Sequence, residues 1–320
     1  MTERVLVTGA GGFMCSHVVA ALLNAGYAVI ALDRAFDPAW RTRFAGHDEL
    51  LMIIESDATR LPDLPATVLI HGAALTADPE QAGLTPEQHL RANLDPLLTA
   101  TAWARNVRVK RALFISSAGV YRRSVTTEPN SRAVLTEADV PDPESLYAVA
   151  KLTMETLVSV LRAEYGVPFA TVRFGNVYGP HEIARPSRPR TSRLTRLIQT
   201  ALTTGRVQPD HTLPADWTFA PDIGAALVAL LRSECRHSLY NVNSGAAYSD
   251  HDLALAIQTH LPDLAVIKSP AAPVPARPPL SNARFSAETG FSAWTSLHRG
   301  IGQSIAWLRE QASIPAGGLP

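Results

Sequence analysis

The sequence has little cysteine, no excess of either charge and no long apolar run, and each absence closes off a class of protein. Two cysteines in 320 residues, Cys15 and Cys235, cannot build a disulfide framework, and their scarcity points to a reducing compartment. The 29 basic residues balance the 29 acidic ones, so no net field draws the chain to nucleic acid or to an anionic membrane. No apolar run reaches the roughly 20 residues of a membrane span. The first residues pass directly into an apolar strand pattern and do not read as a signal peptide. His71 has no second histidine, cysteine or carboxylate at metal-ligand spacing, so no metal is expected. What remains is a cytoplasmic globular chain, 46% hydrophobic and 18% charged, able to bury a substantial core in one large or two modest domains.

The order of elements is informative from the start. Arg4 to Thr8 is a β-branched apolar run that stops at Gly9-Ala10-Gly11-Gly12 and resumes as a helical pattern from Phe13 to Asn24. A second strand, Ala28 to Leu32, ends at Asp33. Strand, glycine turn, helix, strand and terminal acid are the parts of a dinucleotide site: backbone N–H groups at the helix start meet the pyrophosphate, and the acid accepts the ribose hydroxyls. Asp33 favours NAD, while Arg34, next in the chain, leaves NADP open. Cys15 stands where a third glycine is expected, either as a small buried filler or as a reactive thiol.

Further strands are expected at Leu51 to Ile54, Val68 to Ile70, Ala112 to Ile115 and Phe169 to Phe174, alternating with helices at Pro86 to Asn106, carrying Asn93, and around Tyr147. This alternation predicts an α/β fold with a parallel sheet, whose sites gather beyond the carboxyl ends of the strands. Ser117 lies at such an end, where serine also commonly satisfies a turn. Tyr147 and Lys151 are four apart on a helix that Asp142 can cap, Pro143 can open and Gly166 can end, so both side chains address one face. An ammonium held close stabilises a phenolate and brings the tyrosine toward neutrality. In isolation the pair equally describes an amphipathic core tyrosine and a snorkelling lysine. From His181 to Arg196 the chain becomes a basic, proline-containing mobile loop whose arginines suit a substrate phosphate or carboxylate, or simply solvent. Strand-like runs follow at Asp216 to Ala220 and Leu239 to Val242, with a helix between them, a proline-rich connector at Ala271 to Pro279, a helix at Leu297 to Gln311 and a frayed tail.

Taken in order, these pieces resemble the extended short-chain dehydrogenase/reductases of the NAD-dependent (sugar) epimerase/dehydratase family. The resemblance rests on the TGAGGF string from Thr8, Asp33, Asp57, HGAA from His71, Asn93, SSAGVY from Ser116, YxxxK at Tyr147, RFGNVYGP from Arg173 and YNVNSG from Tyr240. It implies a Rossmann-type, doubly wound NAD-binding domain over residues 1–175 and about 218–247, a small α/β substrate domain over 176–217 and 248–312, and a tail at 313–320. It also implies that Gly9, Gly12 and Phe13 hold the pyrophosphate, Asp33 with Arg34 the adenosine ribose, Asp57 and Ala58 the adenine, and that Ala73, Ala74 and Asn93 line the cofactor. Tyr147 is then the general base, Lys151 holds the nicotinamide ribose, and Ser117 binds the reacting hydroxyl. Asn176, Arg185 and Arg193 are the expected contacts to a sugar-like, anionic small molecule. A homodimer through the helices at 86–106 and 143–165 is implied as well.

Two departures narrow the chemistry. Dehydratases of the family place Asp-Glu directly after the Ser/Thr, whereas Ala118-Gly119 follow Ser117 here. Many nucleotide-sugar-binding members carry an arginine just before the strand at 216–220, where this chain has Ala215. The expected activity is a (nucleotide-)sugar epimerase with transient hydride transfer. An NAD-dependent dehydrogenase of a small sugar, sugar acid or polyol derivative is the alternative, and a non-catalytic NAD-binding protein comes third.

Overall fold

The computed structural model describes residues 3–124, 134–209, 214–268 and 278–313; most of the proline-rich connector and the tail lie outside the described residues. The elements run β1 (Arg4–Thr8), α1 (Phe13–Asn24), β2 (Ala28–Asp33), α2 (Pro38–Phe44), β3 (Leu51–Glu55), β4 (Val68–His71), α3 (Pro79–Ala82), α4 (Pro86–Asn106), β5 (Arg111–Ile115), α5 (Leu146–Tyr165), β6 (Phe169–Arg173) and β7 (Asn176–Tyr178). They continue with α6 (Arg193–Thr204), β8 (Arg206–Val207), β9 (Ala215–Phe219), α7 (Ala220–Arg232), β10 (Leu239–Asn241), β11 (Ala247–Tyr248), α8 (Asp250–Gln258), β12 (Ala265–Val266), α9 (Ala283–Thr289) and α10 (Leu297–Ser313).

The main sheet has seven strands in the order β10-β6-β5-β4-β1-β2-β3, all parallel. β1 lies between β2 and β4, so the order reverses at its carboxyl end and opens a crevice above Thr8. Both faces are covered, as a parallel sheet requires. On one, α1 and α7 bury Val18, Leu22, Ile223 and Leu227. On the other, α4 and α5 bury Leu97, Trp103, Met154 and Val158. A separate core of Trp217, Phe219, Leu194, Ile198, Leu253 and Ile301 gathers α6, α8, α10 and the three-stranded sheet β11-β9-β7 beside the crevice mouth.

Two local expectations shift. The helix carrying Tyr147 is capped by Ser145, whose side chain accepts from the Ala148 N–H, and not by Asp142. The Asp142 N–H donates to the Val120 carbonyl at 2.8 Å, which holds that residue outside the helix and moves its start to Leu146. The strand expected at 216–220 begins one residue earlier, at Ala215, and pairs with β7 and β11 in the smaller sheet.

Candidate active site

A cavity of about 1380 Å³ runs along the carboxyl ends of the sheet, from Asp57 and Asp33 past the glycine turn to Ser117, Tyr147 and Lys151, and out to Arg193 and Trp217. Its floor is the turn after β1. Gly9 has φ +72, and a Cβ there would stand 2.7 Å from the Ala73 amide nitrogen, so both the conformation and the close approach require glycine. The Gly12 N–H closes the turn onto the Gly9 carbonyl at 2.9 Å, and α1 starts at Phe13 with no side-chain cap. The uncapped N–H groups and helix dipole suit an anion. Gly11, which sequence reasoning passed over, donates its N–H to Asp33 Oδ2 at 2.9 Å while the Arg34 N–H takes Oδ1 at 2.7 Å. Burial raises Asp33, and these N–H donors together with Arg185 and Arg34 pull it back, leaving a fixed carboxylate with lone pairs to offer. Asp57 is held below the ordinary carboxylate range, chiefly by the Thr59 N–H.

Cys15 occupies the third-glycine position as a filler. Its buried Sγ fills the space a Cβ on Gly72 would need, and burial pushes the thiol up to about 12, away from reactivity. His71 is buried and hydrogen-bonded to Thr8 Oγ1 at 2.9 Å, and burial drives it down to about 3, so it is a neutral structural group. Ala73 and Ala74 line the cavity. The Asn93 amide accepts from the Leu75 N–H at 3.0 Å and donates to the Leu75 and His89 carbonyls, which pins the loop after β4 to α4.

At the reactive end, α5 carries Tyr147, Lys151 and Glu155 one turn apart on one face. Lys151 Nζ donates to the Ile115 carbonyl at 2.7 Å and lies 5.6 Å from the centroid of the Tyr147 ring. The Ser117 hydroxyl accepts from the Gly119 N–H at 3.0 Å. The expected shift of Tyr147 toward neutrality is not what this site produces: burial pushes the phenol up to about 12, against a smaller lowering by Ser117 and Arg188. Burial also pushes Lys151 down to about 8, opposed by Cys15 and Glu155, so the ammonium itself is weakened.

Beneath this pair lies a group that sequence reasoning missed. Glu155 Oε1 accepts from Ser116 Oγ at 2.5 Å and from Arg173 Nε at 2.8 Å, and Oε2 pairs with Arg173 Nη2 at 2.5 Å. Arg173 also donates to Tyr121 Oη. The ion pair ties α5 to β6, and the Ser116 hydrogen bond adds the end of β5, one residue behind Ser117 and one turn behind Lys151. The i, i+4 spacing from Lys151 was the available signal for Glu155.

The expected substrate residues separate. Asn176 lines the cavity with its amide donated to the Asp216 carbonyl at 3.0 Å. Arg193 lines it too, 2.7 Å from Asp250 and over the Trp217 ring at 5.6 Å. Arg185 also lines the cavity, but at a distance from these two, ion-paired with Asp37 at the head of α2. The basic stretch is anchored at its base by buried Glu182, which accepts from the Ser192 N–H and hydroxyl, each at 2.7 Å, and from Arg188 at 2.5 Å. Among the described residues no helix is long and apolar enough to cross a membrane.

Residues 5–242 match the sequence pattern of the NAD dependent epimerase/dehydratase family. Among curated relatives, the UDP-glucose 4-epimerase of Mycolicibacterium smegmatis is 26% identical over 326 residues, covering 97% of this chain and 99% of the relative. Among solved structures, MoeE5 in complex with UDP-glucose and NAD is similar with a TM-score of 0.76 and 28% identity over 97% of this chain and 100% of the other. TunA, an NAD-dependent NDP-hexosamine 5,6-dehydratase, shares the fold with a TM-score of 0.78 and 24% identity, over 97% of this chain and 98% of the other.

Proposed function

The chain belongs to the NAD dependent epimerase/dehydratase family, and from that premise we propose that it is an NAD-dependent epimerase acting on a hydroxyl-bearing carbon of a nucleotide sugar. The observation that carries this reading is the single cavity joining the glycine turn and Asp33 to Ser117, Tyr147 and Lys151, and continuing to Asn176, Arg193 and Trp217. The cradle left by Gly9, the uncapped start of α1 and the oriented Asp33 carboxylate fit a dinucleotide with free ribose hydroxyls. NAD, when bound, supplies a hydride acceptor and a positive ring charge.

The residues of the chain do the rest. Gly9, Gly12 and Phe13 hold the pyrophosphate, Asp33 the adenosine ribose, Asp57 and Ala58 the adenine, and Lys151 the second ribose. Ser117 orients the substrate hydroxyl, and Tyr147 Oη takes its proton as the carbon gives up hydride. The carbonyl so formed then accepts hydride on its other face, and Tyr147 returns the proton. Net consumption of cofactor is zero. Tyr147 must ionise against its burial, so Ser117, Arg188 and the cofactor's charge all favour the reaction.

Dehydration is disfavoured because an acid and a base placed after Ser117 would be needed to expel water, and Ala118 and Gly119 offer neither. One observation favours the alternative dehydrogenase: β9 opens with Ala215, which has no charge to offer a diphosphate. The enzyme is proposed to be a cytoplasmic homodimer, with free, buried Cys15 and Cys235 in keeping with a reducing compartment and exposed Leu98 on α4 and Val149 and Val160 on α5 available to a second copy.

Incubation with NAD and a panel of nucleotide sugars and sugar acids tests the reading. Isomer exchange without accumulating NADH is expected with at least one nucleotide sugar. Stoichiometric NADH from a sugar acid or polyol, without isomer exchange, would replace the epimerase by the dehydrogenase.

A further inference from the structure

We propose that the hairpin Arg185-Pro186-Ser187-Arg188 is the roof of the cofactor site, binding the cofactor's diphosphate from the side opposite the glycine turn and retaining it between turnovers. The proposal rests on the NAD reading above and adds residues of the smaller unit to it.

The hairpin is built to hold its shape. Arg185 and Arg188 exchange backbone hydrogen bonds, 2.9 and 2.8 Å long, leaving Pro186 and Ser187 at the tip. At that tip the Ser187 carbonyl accepts from the Thr76 N–H at 2.9 Å, the Ala77 N–H at 3.1 Å and Thr76 Oγ1 at 3.0 Å. Those donors belong to the segment after β4. At its other side Arg185 is ion-paired with Asp37, in the segment after β2. In the sheet β1 lies between β4 and β2, so a strap fixed to both neighbours crosses above the glycine turn that follows β1. The Arg188 guanidinium lies 5.4 Å from the Phe13 ring centroid, at the first residue of α1.

The chemistry of the strap points to an anion. Arg185 and Arg188 both line the cavity. Although each is ion-paired through another nitrogen, Arg185 Nε and Arg188 Nη1 are shielded from solvent and have no hydrogen-bond partner. Buried N–H groups of a guanidinium without an acceptor are costly, and a diphosphate has several oxygens to give them. A diphosphate also occurs in a nucleotide sugar. The anchors at Asp37 and Thr76, astride the glycine turn, assign this one to the cofactor, whereas Arg193 and Trp217 are left for the substrate. A cofactor held beneath such a strap leaves only when the Asp37 and Thr76 ties open, which suits a cycle in which hydride is returned and never exported.

The test measures release directly. Wild-type protein and the variants Asp37→Asn, Arg185→Gln and Thr76→Val are loaded with isotopically labelled NAD, mixed with excess unlabelled NAD, and the label retained is followed by rapid filtration. Asp37→Asn keeps a side-chain oxygen to accept from the Trp40 N–H and cap α2, so its fold is expected to survive. Binding of UDP to the same proteins is measured by calorimetry. We expect release to accelerate about tenfold or more in Asp37→Asn and Arg185→Gln, severalfold in Thr76→Val, with UDP affinity within twofold of wild type. Unchanged release in all three variants overturns the strap, and unchanged release with weakened UDP binding in Arg185→Gln reassigns the hairpin to the substrate. A wild-type protein that binds no NAD overturns the cofactor reading itself, a result separable from either.

Discussion

Tyr147→Phe is expected to reduce turnover about 10²–10⁴-fold, the usual contribution of a positioned general acid–base, while changing NAD binding less than twofold. The substitution removes one oxygen and leaves the ring that packs at the start of α5 and faces Lys151. Among the described residues, no other group at the reactive end is placed to take over. Ser117 Oγ is engaged by the Gly119 N–H, His71 is buried and neutral, and Lys151 Nζ is committed to the Ile115 carbonyl. Steady-state turnover and equilibrium NAD binding, measured on the same preparation, check both halves. A turnover loss below tenfold would remove Tyr147 from the proton-transfer role.

The second large effect concerns stability. Arg173→Met leaves the Glu155 carboxylate buried with its principal cation gone, and breaking a buried pair in this way costs about 3–5 kcal/mol. Arg173 is 2% and Glu155 7% exposed, so water cannot replace the lost guanidinium without opening the core. The double variant Glu155→Leu/Arg173→Met removes both charges and is expected to recover much of the loss, because the desolvation cost disappears with the ions. Denaturant unfolding of the two proteins separates the cases. A single variant costing under about 1 kcal/mol would show that the pair is not the brace between α5 and β6. Because Glu155 also raises Lys151, the surviving protein should lose activity faster on the alkaline side, where an unsupported ammonium deprotonates sooner.

Much of this architecture could be read from short windows of sequence, and the part that could not has a common cause. β1, the glycine turn, α1, β2 and Asp33 lie within the first 33 residues, and each announces itself locally: β-branched run, glycine, helical period, strand, acid. Tyr147 and Lys151 are one turn apart, so their shared face follows from helix geometry alone. The cap of α5 was misplaced because Asp142 and Ser145 are both good caps, and the choice was made by a distant carbonyl, that of Val120. Asn93 stands in mid-helix, where a polar side chain needs a partner, and that partner, Leu75, is set by the tertiary fold. β7 is three residues long, too short to show a period. The same limit hid the arginines' true partners: Arg173 finds Glu155 across two elements, and Arg185 finds Asp37 across 148 positions of chain. A cluster of guanidinium groups announces an anion, but only the fold says which one.

The most direct test of the central claim follows the hydrogen itself. A nucleotide sugar that the enzyme epimerises is prepared with deuterium at the carbon whose configuration changes, and the product is analysed by mass after many turnovers in ordinary water with catalytic NAD. Hydride transfer to and from a retained cofactor predicts that the epimer keeps its deuterium on that carbon and that no NADH accumulates. Loss of deuterium to solvent would mean that the carbon is inverted by proton abstraction, with the hydride role assigned to the cavity wrong.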